Sequence, residues 1–439
     1  MEAKINLTKY AQMLERVSPM QLCGKVTEVI GLVVESLGPA VSVGDLCLIK
    51  GRSGDSVSME AVGFRGDKVL LMPFGEMRGI APGSRVVSSG KPLTVDVGEK
   101  LLGRILDGLG RPTDERGPTF CHEQYSVYGT PQNPLLRQRI SEPFPTGVKA
   151  IDALLTCGCG QRIGIFAGSG VGKSKLLSMI ARYSDADVVV VGLIGERGRE
   201  VRDFVEENLG VEGLRKAIVV AATSDQPALV RINGALIATT VAEYFRDQGK
   251  KVLLVMDSVT RLAMAQREVG LTIGEPPTTR GYTPSVFSLL PRLLERSGMS
   301  DRGSITGFYT VLVEADDMND PIADAVRSIL DGHIVLSRDL SDSGHYPPID
   351  VLKSTSRVMI EVVSTQHREA ANQFRDLLAA YRGAEDLINI GAYQDGSNPK
   401  VDRARRLIQA MTGFLRQPEE QAATYTDSVQ TMMQIMAQR

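Results

Sequence analysis

The rhythm of apolar and polar positions changes three times along the chain. Between residues 5 and 18, Tyr10, Met13, Leu14 and Val17 fall at i, i+3, i+4 and i+7. That spacing predicts one apolar stripe of a short amphipathic helix, assigned to 1–20. It is too short to hold by itself, and both a docked position on its own barrel and one on a partner are open. From 21 to 93 the texture becomes short alternating runs, GKVTEVIGLVVES, GDLCLIK, SVSMEAVGF, DKVLLMPF and SRVVSSG, cut by Gly and Pro. Several short strands at this spacing predict a small β-barrel or sandwich. Residues 94–145, including the Gly- and Pro-rich LDGLGRPTDERGPT at 106–119, read as a linker.

The third texture, over 146–365, consists of continuous apolar runs separated by helical stretches. RIGIFA (162–167), DVVVVGLIG (187–195), AIVVAAT (217–223), KVLLVMD (251–257) and SITGFYTVLVEA (304–315) are apolar on both faces. Strands of that kind are covered on both sides, which predicts an α/β core with a largely parallel sheet between helix layers. After residue 366 the pattern turns helical to the end, predicting a C-terminal helical domain over 366–439.

Composition narrows the classes. The 439 residues are 43% hydrophobic and 23% charged, with a net charge of −2, so no global basic field points to nucleic acid or an anionic membrane surface. Five cysteines are too few and too scattered for a disulfide framework, and Cys157-Gly158-Cys159 lacks a second Cys/His pair at ligand spacing. Idle thiols in a reducing compartment are the better reading. The first residues carry charges throughout and no run reaches 18 uncharged apolar residues, so a cytoplasmic location is expected.

The strongest chemical signal is AGSGVGKS at 167–174, between a predicted strand and a predicted helix, the context a phosphate-binding (P-loop) motif requires. Gly168, Ser169, Gly170, Val171 and Gly172 supply backbone N–H groups around phosphates at a helix N-terminus. Lys173 would reach the β- and γ-phosphates of ATP, and the Ser174 hydroxyl would ligate Mg²⁺. Ala167 stands where the motif usually starts with Gly. Asp257, at the tip of KVLLVMD, is placed to hold the same Mg²⁺. Glu196 in GERGREVRDF is a candidate to orient and polarise water, with Arg197 beside it to neutralise γ-phosphate charge. A plain surface helix start with ordinary salt bridges is the alternative for that segment.

The succession AGSGVGKS, LIGERGREVRDF, ATSDQPALVR, VLLVMDSVTRLAMAQRE, GEPPTTRGYTPSVFSLLPRLLERSG and HYPPIDVLKSTSRVM resembles the export ATPases of bacterial type III secretion systems, themselves similar to the catalytic subunit of rotary ATP synthases. MPFGEMRGIAPGSRV at 72–86 most resembles the flagellar branch. The resemblance covers residues 21–439 and implies a RecA-like P-loop NTPase core. It also implies that Glu196 activates the lytic water and Arg197 touches the γ-phosphate. By the same likeness, Arg357 in STSRVM reaches the nucleotide of the next subunit, Tyr346 packs on adenine, and Phe414 closes that pocket. The expected partners are further copies of the chain in a homohexamer, a regulatory stator-like protein at the N-terminal segment, and a central stalk protein. Export chaperones, cargo and the membrane export gate complete the set, at the inner membrane's cytoplasmic face. The competing readings are a virulence-type (injectisome) ATPase, a rotary synthase catalytic subunit, a nucleotide-dependent scaffold, and an RNA motor. The last is disfavoured because residues 21–93 offer only Phe64 and Phe74 for base stacking.

Overall fold

The computed structural model describes residues 23–51, 56–313 and 320–438. The helix expected over 1–20 lies outside the described residues. Between Cys23 and Pro92, strands β1 (Cys23–Ile30), β2 (Val33–Leu37), β3 (Asp45–Lys50), β4 (Ser56–Arg65), β5 (Lys68–Pro73) and β6 (Arg85–Pro92) close a barrel in the order β1-β2-β5-β4-β3-β6. Every pairing is antiparallel, and closure leaves no free edge. Val26, Val34, Ile49, Met59, Leu71 and Val86 fill the interior. The alternation of the sequence is therefore an in–out alternation about a small filled barrel.

The described residues of 94–271 and 275–438 form a second compact unit. Its strands are β7 (Thr94–Val97), β8 (Ile105–Asp107), β9 (Glu123–Ser126), β10 (Arg162–Ala167), β11 (Val188–Ile194), β12 (Ala217–Ala222), β13 (Lys251–Asp257), β14 (Gly298–Met299), β15 (Ser304–Leu312), β16 (Gly332–Val335) and β17 (Thr355–Ser356). Nine of them make one sheet in the order β17-β16-β10-β15-β13-β11-β12-β8, with β14 paired to β15. From β16 across to β8 every pairing is parallel. Every residue of β11 is buried, as the two-sided apolar run requires.

Several short strands were not legible as such. The segment read as a linker does more than connect: Ile105–Asp107 pairs with β12 as the sheet's edge, and β7 pairs with β9. Three residues flanked by glycines carry too little periodicity to signal a strand, and the edge position comes from tertiary pairing. β16, four residues long, is nearly as short and lies beside β10.

Six helices matter below: α1 (Lys173–Tyr183), α2 (Ala228–Asp247), α3 (Val259–Ile273), α4 (Thr365–Asn389), α5 (Pro399–Leu415) and α6 (Tyr425–Ala437). The last three make the C-terminal helical region. Ala371, Phe374, Leu377, Met411 and Met432 from these helices share one continuous buried cluster with Ile151, Leu154, Ile165 and Leu177 of the α/β part. The helical region therefore has no core of its own and is packed as part of the nucleotide-binding unit. Cys157 and Cys159 are unpaired and buried, and burial pushes both thiols above their usual range. Among the described residues no helix is long and apolar enough to cross a membrane.

Candidate nucleotide site

Parallel strands place their C-terminal tips at one edge, and the loops leaving that edge build the site. The β10 strand ends at Ala167; the chain then turns through Gly168–Gly172 into α1, which starts at Lys173. Gly170 and Gly172 have φ of 78° and 96°, a left-handed conformation costly for residues with a Cβ. A Cβ on Gly170 would meet nothing within 4 Å. The glycines are thus set by backbone geometry around an open space.

At that edge three strand tips converge on one ammonium. Lys173 donates from Nζ to Asp257 Oδ1 at 2.5 Å, and its Nζ lies 3.5 Å from Glu196 Oε1. Asp257 is the last residue of β13, is buried, and also accepts from Thr310 Oγ1 at 2.7 Å. Burial disfavours the charged Lys173, but the Asp257 and Glu196 carboxylates outweigh it, and the net shift of its pKa is upward. Glu196 follows β11 through Gly195, whose φ is 72°. Burial, with Glu200 adding, raises its carboxyl above the ordinary range, while Lys173 and Arg261 oppose the rise. Glu196 Oε1 is buried and accepts no hydrogen bond. Its one close cation among the described residues is the Lys173 ammonium at 3.5 Å, so this oxygen keeps room to accept a hydrogen bond.

The structure does not gather every residue singled out in the sequence. Arg197 turns outward, 82% exposed, with Glu200 at 3.7 Å as its partner. Ser174 is exposed in the first turn of α1. Tyr346 is half-exposed and flanks the loop, its ring 3.5 Å from where a Gly172 Cβ would stand. Phe414 is buried against the Phe374 ring, with centroids 5.9 Å apart. It also walls a cavity of about 310 Å³ together with Lys149, Asp427 and Thr431.

Arg357 is exposed just after β17. Its N–H donates to Asp331 O, and Asp331 N–H donates to Arg162 O. Its backbone is therefore level with the start of β10, five residues before the loop, or roughly 16 Å along a strand rising about 3.3 Å per residue.

One participant escaped the sequence reading. Arg261, in the first turn of α3, packs its Cβ 2.8 Å from the position of a Gly195 Cβ, and its buried Nε has no hydrogen-bond partner. It adds positive charge facing Glu196. No spacing in the sequence pointed to it, because Gly195 and Glu196 lie after a different strand.

Residues 147–356 match the ATP synthase alpha/beta family, nucleotide-binding domain. Residues 26–90 match that family's beta-barrel domain, and 363–434 match the T3SS EscN ATPase C-terminal domain. The chain is 56% identical over 408 residues to the flagellum-specific ATP synthase of Bacillus subtilis, covering 92% of this chain and 93% of that one. It is 50% identical to the type 3 secretion system ATPase of Xanthomonas euvesicatoria, over 94% and 93% of the two chains. The assembled ATPase EscN from the enteropathogenic E. coli type III secretion system superposes with a TM-score of 0.90 at 46% identity, covering 94% of this chain and 100% of that one. A second EscN structure, in complex with its central stalk EscO, gives a TM-score of 0.88 at the same identity and coverage. With family matches spanning barrel, core and C-terminal helices, the chain belongs to the ATP synthase alpha/beta family, among its type III export ATPases.

Proposed function

We propose that the chain hydrolyses Mg-ATP in this site and that, as a homohexameric ring, it drives protein export through a flagellar type III apparatus. The observation that carries the reading is the Lys173 ammonium held between Asp257 and Glu196 at the mouth of the glycine loop. A triphosphate entering the loop offers Lys173 stronger anionic partners, which frees both carboxylates for their own tasks.

Glu196 accepts a proton from water as the water oxygen bonds to the γ-phosphorus and the bond to the β,γ-bridging oxygen breaks, leaving ADP and phosphate. Its buried oxygen, which accepts no hydrogen bond, and its raised pKa fit a general base, which works best when its affinity for protons is not too low. Arg261, and Arg197 once it turns inward, supply positive charge beside the transferring group.

Mg²⁺ is implied by the family, and the donor set fits it. Ser174 and Asp257 offer a hydroxyl and a carboxylate, hard oxygens that this ion takes together with phosphate oxygens and water. No group of three His, Cys, Asp or Glu side chains placed to hold a metal ion occurs among the described residues, and Mg²⁺ bound mainly through nucleotide needs none. When bound, it neutralises charge on the β- and γ-phosphates.

Arg357 is assigned to the neighbouring copy's site. It is exposed and level with the opposite end of β10 from its own loop, so a heterologous ring in which each copy lends Arg357 to the next is the arrangement that uses it. Tyr346 is assigned to the adenine. The partners follow the same reading: a stator-like protein at residues 1–20, and a central stalk at the end of α4, where Leu387 and Ile390 are exposed. Chaperones and cargo meet the C-terminal helices, at a ring peripheral to the inner membrane near the export gate.

The flagellar assignment is supported by the 56% identity with the Bacillus subtilis relative. Deleting the gene and scoring swimming and flagellin release tests it: loss of both, restored by the wild-type gene and not by Lys173→Ala, is the expected result. A normally motile deletion strain would reject it.

A further inference from the structure

The segment joining α5 to α6 touches both flanks of the phosphate loop without contributing to the phosphate site. On one flank, Lys175, Ser178 and Arg182 occupy positions i, i+3 and i+7 of α1, a single helix face. The Glu419 carboxylate lies on that face: Ser178 Oγ donates to its Oε1 at 3.3 Å, Lys175 Nζ is 3.5 Å from its Oε2, and Arg182 Nη2 is 3.7 Å from its Oε1. The Glu419 backbone carbonyl accepts from Arg182 Nη2 at 3.3 Å and from Tyr183 Oη at 3.1 Å. One residue thus grips α1 from its first turn to its last.

Two residues earlier, Gln417 is buried and fully engaged. Its Oε1 accepts from Lys149 N at 2.8 Å; its Nε2 donates to Gly147 O at 2.8 Å and Gln421 O at 2.7 Å. Its backbone N–H donates to Tyr346 O at 3.0 Å. Tyr346 is the residue whose ring approaches Gly172, the last residue before α1. The connections therefore close a ring: Gly172, α1, Glu419, Gln417, Tyr346, and back to Gly172.

We propose that Gln417 and Glu419 make this segment a brace that fixes α1 against the Tyr346 wall and so sets the chain's affinity for nucleotide. Both are positioning residues, acting through α1 and Tyr346. The proposal rests on the reading of the glycine loop as the nucleotide site. A buried amide with every donor and acceptor used holds one geometry. The partly exposed Glu419 ion pairs would add little to global stability, so a carboxylate reaching three side chains of one helix does more to fix that helix's position. The loop must meet phosphates to within about half an ångström, and a helix free to slide relative to Tyr346 loses that match.

The test is Glu419→Ala, with Glu419→Gln as the conservative variant that keeps the Ser178 hydrogen bond while losing the ion pairs. Equilibrium binding of a fluorescent ATP analogue and steady-state KM and kcat are measured on the full chain, beside the melting temperature. Affinity should weaken about fivefold in Glu419→Ala, roughly the factor of one modest charged contact. KM should rise in parallel, kcat should stay within about twofold, and Glu419→Gln should fall in between. Unchanged affinity in both variants, whether or not the melting temperature drops, overturns the brace, as does a fall in kcat at constant KM. Lys173→Ala separates the two readings: if it binds the analogue as wild type does, the loop assignment itself has failed.

Discussion

Lys173 and Asp257 are held 2.5 Å apart although β15 separates their strands in the sheet. The contact exists because both strand tips end at one edge and α1 begins with the lysine. It neutralises a cation that nucleotide phosphates would otherwise pair. In Lys173→Ala the affinity for ATP should fall by two orders of magnitude or more, matching the ~3 kcal/mol of a well-made buried charge contact. Titration with a fluorescent ATP analogue measures it.

Arg357 should matter only between copies. Arg357→Ala should lower the ring's ATPase rate by ~10³ while leaving the melting temperature and the nucleotide affinity of dilute protein unchanged. Mixing Arg357→Ala chains with Lys173→Ala chains should restore part of the rate, since some neighbours then combine an intact Lys173 with an intact Arg357. A mixture as inactive as either parent would place the arginine's role within its own chain. By the same logic, wild-type specific activity should climb steeply with protein concentration.

The acid limb of the rate profile should belong to Glu196. Burial raises its pKa, so the catalytically useful carboxylate is lost as pH falls through a value above the ordinary glutamate range. Arg261 opposes that rise; Arg261→Gln removes the opposing charge and should move the limb to higher pH. Measuring kcat from pH 5 to 8 checks the direction, and an unmoved limb contradicts the placement of Arg261 beside Glu196.

A structural counterpart sits in the segment read as a linker. Arg104 donates from Nε and Nη2 to Asp114 Oδ2 and Oδ1 at 2.6 and 2.8 Å. That pair fastens the turn after β8, and its hydrogen bonds hold the Asp114 carboxyl down at about 2. A depressed carboxylate contributes stability that is present above the unfolded value of about 3.9 and lost as pH falls toward 2. Asp114→Ala leaves a buried guanidinium with the Gly117 carbonyl but no carboxylate and should cost about 3 kcal/mol, measured by urea unfolding at pH 7. The wild-type advantage over it should shrink below pH 4.

The sequence carried the parts of this architecture whose signal is local. β10, β11, β12 and β13 are long, two-sided apolar runs, and Gly170, Gly172 and Lys173 form a motif whose backbone requirement is written in residue type. β8 and β16 were hidden because three- and four-residue strands take their conformation from neighbouring strands. Arg261 was hidden because its role depends on the turn at Gly195, a contact between separate strands' loops. The brace at Gln417 and Glu419 lies more than 230 residues from the helix it holds, and no spacing rule reaches that far. Phe414 illustrates the converse: a residue assigned to the nucleotide by likeness is buried against Phe374 in the helical core.

The most direct test of the site as an ATPase is Glu196→Gln, which keeps shape and removes the base. Single-turnover hydrolysis and nucleotide binding are measured on the same assembled preparation. The rate should fall by at least ~10² while ATP remains bound with wild-type affinity or better. Hydrolysis at the wild-type rate with binding intact would contradict the assignment of Glu196, and with it the water-activation chemistry of the whole site.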